Sequence, residues 1–221
     1  MLRAMPEEDY EKLVSGAKLL EKDGRGPKVY ATADGRIVKL FRVKRRISSN
    51  LLKAYARRFA ENATALARAG IQAPAVDFYG KVPHIDRQIV VYPMLPGYSL
   101  RETLQRADVT VAGELMHRFG CFLAHLHGRG VYFRSIHFGN VLADGENMAL
   151  IDILDLKVFR NPLSERKRLK NIRFMAKYPE DRKVLCAFLD ALREGYGSVL
   201  PGHPHLFREL EDLLKNPGET C

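Results

Sequence analysis

Val131-Tyr132-Phe133-Arg134-Ser135-Ile136-His137-Phe138-Gly139-Asn140-Val141-Leu142, followed after a turn by Ala149-Leu150-Ile151-Asp152-Ile153, is the stretch on which the fold turns. An apolar run enters a polar loop, the loop ends in Gly139-Asn140, and a second apolar run follows. Asp144-Gly145 makes a turn, and a third short apolar run delivers Asp152. The pattern predicts strand, loop, strand, turn, strand. It places two metal-capable oxygen ligands, Asn140 and Asp152, on neighbouring strand ends. A pair of hard oxygen ligands suits Mg²⁺, which keeps water and shares its coordination with phosphates.

Upstream of this stretch the clearest helix is expected over residues 111–127, with Leu115, Phe119, Phe122, Leu123 and Leu126 on its buried face and Gly128 and Gly130 ending it. Ser99-Leu100 opens a shorter helix. Before that, Tyr92-Pro93-Met94-Leu95-Pro96-Gly97 reads as a connector, because two prolines and a glycine interrupt the pattern. The domain division expected from it is an N-terminal lobe over 1–93 and a C-terminal helical lobe over 94–221.

In the N-terminal lobe, residues 7–22 suggest a helix, and Gly24-Arg25-Gly26 precedes a strand at residues 29–32. Asp34-Gly35 is a hairpin turn. Ile37-Val38-Lys39-Leu40-Phe41 is a second strand with one lysine inside it. A lysine in a buried strand is costly unless its charge meets a partner such as phosphate and a carboxylate; the alternative is an edge-strand lysine facing solvent. Gly24-x-Gly26 is a fragment of the kind of glycine loop whose N–H groups approach phosphate. Residues 50–69 form a helix stopped by Gly70. Its single acid, Glu61, is the candidate partner of Lys39, although it lies nearly opposite the Leu52–Phe59–Leu66 stripe. Residues 76–79 and 88–92 complete a small antiparallel sheet.

Downstream of Asp152 the pattern is helical and basic: helices over residues 163–177 and 180–196, the latter ended by Gly195-Tyr196-Gly197, then residues 205–214 and a frayed end at 216–221. The 221 residues carry a formal charge of +10, a balance that favours anionic partners such as a membrane surface, a nucleic acid or a phosphorylated substrate. Bases concentrate in residues 36–58 and 160–182. No interleaved aromatic–basic motif of a nucleic-acid reader is present. No apolar run approaches the ~18–20 residues needed to span a bilayer, and residues 1–9 lack the apolar core of a signal peptide, which points to the cytoplasm. Cys121, Cys186 and Cys221 fit neither a zinc spacing nor a disulfide framework. His117, His125 and His127 on the long helix are not read as a metal site. The chain contains no internal repeat.

The order of features is Gly-containing turn, strand Lys39, helix Glu61, connector, long helix, Asn140 loop, Asp152, helices. That order resembles the protein-kinase-like fold, and the motif wording is similar to the lipopolysaccharide core (Kdo/heptose) kinase family, including short Pseudomonas-type proteins labelled toluene-tolerance or lipopolysaccharide core kinases. Ala69-Gly70-Ile71-Gln72-Ala73-Pro74 resembles that family's signature after the helix, Ile136 to Leu142 its catalytic loop, and Ile151-Asp152-Ile153 its Ile-Asp-Phe. The likeness covers residues 22–197. It implies an α+β fold with a sheet lobe and a helical lobe. The activity it implies is ATP-dependent phosphorylation of a sugar hydroxyl on the lipopolysaccharide inner core, at the cytoplasmic face of the inner membrane. Lys39 would hold the α/β-phosphates, with Glu61 orienting it. Asn140 and Asp152 would ligate Mg²⁺, residues 92–95, Tyr92 and Met94 among them, would line the adenine slot, and basic helices would face an anionic glycolipid.

One position departs from the family. Five residues before the loop Asn, where the family and kinases in general carry Asp, stands Ser135. A serine hydroxyl cannot take the acceptor's proton as a carboxylate does. His137 or Asp155 could substitute; transfer could persist slowly through positioning and charge stabilisation alone; or the protein is a pseudokinase scaffold acting through a protein partner. An atypical Ser/Thr protein kinase is the remaining alternative.

Overall fold

Ile37, Val38, Leu40 and Phe41 are buried around a half-buried Lys39, and this run forms an interior strand of a six-stranded sheet. The structure is a computed structural model and describes residues 2–42, 54–203 and 205–215. The basic residues Lys44, Arg45 and Arg46, the expected helix start at residues 50–53 with Leu52, and the C-terminal residues 216–221 with Cys221 lie outside the described residues. The chain divides into two compact units, residues 1–68 with 73–95, and residues 69–72 with 96–221.

In the first unit the strands are β1 (Arg3–Ala4), β2 (Lys18–Asp23), β3 (Gly26–Ala31), β4 (Arg36–Arg42), β5 (Phe78–Val82) and β6 (Arg87–Pro93), in the order β1-β5-β6-β4-β3-β2. Every pair is antiparallel except β1 with β5. Helix α1 (Glu7–Val14) ends much earlier than expected, and residues 18–23, read from sequence as its continuation, pair as β2 with β3. Gly16, at φ 69°, makes the turn between them. The strand expected at residues 76–79 begins at Phe78 and runs on to Val82.

Strand alternation sorts the two faces of the sheet. Val38, Leu40, Ile89 and Val91 pack with Tyr10 of α1. Ile37, Lys39 and Phe41 point to the opposite face. There Phe59 of α2 (Tyr55–Arg68) lies 6.0 Å from the Phe41 ring and stacks on Tyr92 at 5.6 Å. Gly70, at φ 72°, follows the helix in the left-handed conformation that suits a C-terminal cap.

In the second unit, β7 (Tyr98–Ser99) leads into α3 (Leu100–Arg106). A capping box joins Ser99 and Glu102, satisfying two orphan N–H groups at once. The hydrogen bonds from Ser99 hold the Glu102 carboxyl below the usual range. Helix α4 (Val109–Gly128) is capped by Asp108, whose Oδ1 accepts from Val111 N at 2.9 Å. Then come β8 (Val131–Phe133), β9 (Val141–Asp144), β10 (Asn147–Leu150) and β11 (Leu156–Val158). Strands β9 and β10 form the expected hairpin, and β7 pairs on its other side. Strand β8 pairs with β11, a strand that lacks a sequence signal because its three residues carry one charge and no alternation longer than itself.

The remaining helices are α5 (Glu165–Met175), α6 (Pro179–Ala187), α7 (Leu189–Val199) and α8 (His205–Lys215). The single helix expected over residues 180–196 is therefore two, broken at Phe188, whose φ −123° and ψ 25° leave the helical region. Gly195 does not end a helix. It lies inside α7 against α4, where an added Cβ would stand 1.9 Å from His117 O; on the facing side a Cβ on Gly120 would stand 2.2 Å from Leu192 O. Both glycines are required because the two backbones touch there. Among the described residues no helix is long and apolar enough to cross a membrane.

Candidate active site

Asn140 and Asp152 stand at one end of the β9–β10 hairpin. The register pairs Val141 with Leu150, and the ladder continues one step further, with Ile151 N donating to Asn140 O at 3.0 Å. Asn140 is buried, and its Nδ2 donates to Ser135 O at 2.9 Å. That bond fixes the amide orientation and leaves Oδ1 as the group's oxygen ligand. Asp152 is exposed, and its backbone sits at φ 51°, ψ 44°, the left-handed region. Among described non-glycine residues only Asp86 shares that conformation. Such strain concentrates at functional sites, and here it turns the chain sharply between β10 and the 3₁₀ turn of residues 153–155. An amide oxygen and a carboxylate at one hairpin end are a donor set that fits Mg²⁺.

Three contacts shape the loop before Asn140. Phe138 is buried edge-on against Phe119 of α4, with ring centroids 5.5 Å apart. Its N–H donates to Asp181 Oδ2 at 2.9 Å, and Asp181 Oδ1 accepts from Arg101 Nε of α3 at 2.7 Å. Asp181 is 1% exposed, so one carboxylate holds the loop, α3 and α6 together from inside the unit. A buried charge is tolerated only when paired and hydrogen-bonded, and both conditions are met here.

His137 caps the short turn that carries Asn140. Its Nδ1 accepts from Gly139 N at 3.1 Å and faces Arg101 Nη2 at 3.4 Å. Backbone N–H and guanidinium are donors only, so the neutral ring carries its proton on Nε2. Burial, then the Arg101 charge, lowers the His137 pKa. The ring lies on Tyr178 with centroids 4.2 Å apart, and burial raises the pKa of the Tyr178 hydroxyl, with the Ser135 side chain opposing the shift. Asp155 stands beside this group: its O accepts from Arg134 N at 3.2 Å, and its Oδ2 lies 3.6 Å from Arg134 Nε.

The first unit holds the other expected residues. Lys39 sits in mid-strand, paired with Val29 on one side and Val90 on the other, so the edge-strand alternative for it is overturned. It points to the sheet face that α2 covers, and Glu61 is on an exposed part of α2. Gly24 and Gly26 lie at the β2–β3 hairpin, where Asp23 Oδ1 takes the Arg25 N–H at 2.9 Å and also pairs with Arg42. An acid thus occupies part of this turn. Tyr92 is a core residue stacked on Phe59, so its side chain belongs to the packing. Met94 is exposed, and its N–H is committed to Gly35 O at 2.9 Å.

Sequence reasoning missed Arg101, Tyr178 and Asp181. Arg101 and Asp181 are 80 positions apart, and neither helix pattern nor spacing marks them as partners. A Pro-Glu-Asp start to α6 explains Asp181 as a first-turn acid and conceals its second task.

The solved structure of WaaP in complex with acyl carrier protein aligns over 97% of this chain and 99% of that one, with TM-score 0.53 and 17% identity. The chain shares its fold with WaaP. A co-crystal structure of WbdD with the kinase inhibitor LY294002 aligns over 85% of this chain and 43% of that one, with TM-score 0.47 and 15% identity. No family model and no curated protein matches the sequence. The likeness to WaaP agrees with the α+β class, a sheet unit followed by a mostly helical one, expected from the order of motifs.

Proposed function

We propose that the protein is an ATP-dependent kinase that phosphorylates a sugar hydroxyl of the lipopolysaccharide inner core, working at the cytoplasmic face of the inner membrane. The observation that carries this reading is the hairpin end that holds Asn140 Oδ1 and the Asp152 carboxylate, with Asp152 in a left-handed backbone conformation. The loop wording and the WaaP-like fold support the same assignment.

Asn140 and Asp152 would hold Mg²⁺, which when bound to ATP neutralises charge on the transferring phosphate. Lys39 carries the positive charge for the nucleotide phosphates, and Glu61 orients it. Met94 contributes a carbonyl and an apolar side chain to adenine rather than its N–H. His137 is a positioning residue: with Nδ1 occupied and Nε2 protonated, the neutral ring has no free lone pair for an incoming proton. Asp155 is the candidate carboxylate for the base position that Ser135 fills, and it is tied to the preceding residue, Arg134, by a backbone bond and an ion pair. Positioning and electrostatics carry most of phosphoryl transfer, so a weak base slows the reaction without abolishing it.

The acceptor side is basic. Arg166, Lys170, Arg173 and Lys177 line an open groove with Leu169 and Phe174. The spacing of four and three residues places Arg166, Lys170 and Arg173 on one face of α5, and Lys177 follows just beyond its end. Phe174 carries Arg134 and Lys177 at 6.0 and 5.1 Å from its ring, which links the stripe to the residue before Ser135. A groove of this composition suits an anionic glycolipid headgroup and a membrane surface. A protein partner is compatible with the same charge, as WaaP is found with acyl carrier protein.

Ser135 favours a second reading, a scaffold that retains nucleotide but transfers phosphate poorly. The two part in one experiment: transfer from labelled ATP to deacylated lipopolysaccharide core by wild type and Ser135→Asp. If the native loop is an attenuated kinase, Ser135→Asp raises kcat by about 10²- to 10⁴-fold, the range ascribed to a positioned base. Absence of transfer by both proteins, with nucleotide still bound, would establish the scaffold.

A further inference from the structure

We infer that Glu165, His203 and His205 form a zinc site that ties the start of α8 to the start of α5. Glu165 is the first residue of α5 and His205 the first of α8. The carboxylate and the two imidazoles bring one ligand atom each to within 4.8 Å of one another. His205 Nε2 already contacts Glu165 Oε1, and the two imidazole rings lie edge to face with centroids 6.2 Å apart. All three residues belong to the second unit, and the site is independent of the kinase reading.

The third group distinguishes this cluster from an ordinary surface pair. A His–Glu pair needs only two side chains, and exposed pairs of that kind contribute little. Here a second imidazole converges on the same point. A proton on His205 Nε2 can serve only the Glu165 contact, whereas a cation can be shared by the carboxylate and both imidazoles. Two imidazoles with one carboxylate is a donor set that Zn²⁺ takes with a solvent molecule in the fourth position. Tetrahedral Zn–N and Zn–O bonds of ~2.0–2.1 Å place ligand atoms about 3.3 Å apart, so the wider separations, up to 4.8 Å, must close while the touching Glu165–His205 pair must open. Glu165 and His205 have side chains that are 55% and 45% exposed, which leaves them free to rotate.

One effect opposes the site. Both helices present their positive N-terminal ends here, which disfavours a cation. The effect is screened at exposed helix ends, and the Glu165 charge offsets it. The balance gives an open three-ligand site that binds zinc reversibly and fixes α8, whose Leu206, Phe207, Leu210 and Leu214 are buried against the rest of the unit.

The test is zinc titration of the intact, metal-free protein by calorimetry, with wild type, Glu165→Gln and the His203→Ala/His205→Ala double variant, together with the absorption spectrum of the cobalt-loaded protein. The expected result is one Zn²⁺ per chain and a higher midpoint of thermal unfolding with zinc. The double variant should lose binding, and Glu165→Gln should weaken it at least as much as the ~10–100-fold typical of losing a supporting partner. The cobalt protein should show tetrahedral bands without thiolate charge transfer. Equal zinc affinity in wild type and the double variant, thiolate bands from a cysteine site, or no binding by wild type would each overturn the assignment.

Discussion

Asp181→Ala is expected to lower the stability of the protein by about 3–5 kcal/mol, the range found when one partner of a buried ion pair is removed. The carboxylate is 1% exposed and makes two bonds, one to Arg101 Nε at 2.7 Å and one to Phe138 N at 2.9 Å. Loss of the second leaves a buried N–H without an acceptor, which costs about 1–3 kcal/mol by itself. Loss of the first strands a guanidinium whose other acid, Glu180 at 3.2 Å, is half exposed and a weaker partner. Against a total stability of about 5–15 kcal/mol this is a large share. Asp181→Asn keeps one acceptor and the shape, and should lose clearly less. Urea unfolding midpoints of the three proteins measure this. Near-equal midpoints for wild type and Asp181→Ala would mean that the loop is held by Phe138 packing alone.

The second large effect is acid sensitivity at His127. This ring is fully buried, with Nε2 3.2 Å from Asn171 Oδ1 and Nδ1 2.9 Å from Tyr196 Oη. Asn171 Nδ2 donates to Phe133 O at 2.6 Å, so Asn171 Oδ1 must accept, His127 Nε2 must carry the hydrogen, and Nδ1 accepts from Tyr196. Burial, reinforced by the Arg168 charge and opposed by the Asn171 bond, pushes the His127 pKa down to about 3. In the unfolded chain an imidazole titrates near ~6.5. Between these values the unfolded state binds a proton that the folded state refuses, so stability falls as the pH is lowered, by about 1.4 kcal/mol per unit. From pH 6.5 to 4.5 the loss from this one group is about 2 kcal/mol, because the unfolded imidazole is only half protonated at the upper end. His127→Phe should be less stable at neutral pH, because it leaves Asn171 and Tyr196 without their partner, yet lose less on acidification. Denaturation at pH 7 and 4.5 for both proteins separates the effect from carboxylates, which they share. An unchanged difference between the two pH values would place the acid sensitivity elsewhere.

These two residues show where sequence reading stops. The hairpin of Asn140 and Asp152 was legible because strand length, the Asp-Gly turn and the Gly-Asn loop end are local. Lys39 in its strand and the capped helices α3 and α4 were legible for the same reason. Strand β2 was not, because its pairing with β3 outweighed a helix-like charge pattern at residues 18–22. Nor was the break at Phe188, where the backbone leaves the helical region with no Gly or Pro to mark it. His127 looked like one of three helix histidines, and only the fold shows that it is buried beside Tyr196 from 69 positions away. Asp181 gave no signal beyond a favourable helix start. Its partners come from α3 and the loop, and such long-range pairs leave no periodic trace.

The central claim is that Asn140 and Asp152 form a magnesium–nucleotide site. The most direct test is thermal unfolding of wild type and Asp152→Asn with ATP, with and without Mg²⁺. A ligand bound only by the folded state stabilises it by about 2.7 kcal/mol at one hundred times its Kd. The account predicts a magnesium-dependent rise in the wild-type midpoint that Asp152→Asn loses while keeping its midpoint without ligand. No rise for wild type at millimolar Mg-ATP, or an equal rise in both proteins, would contradict it.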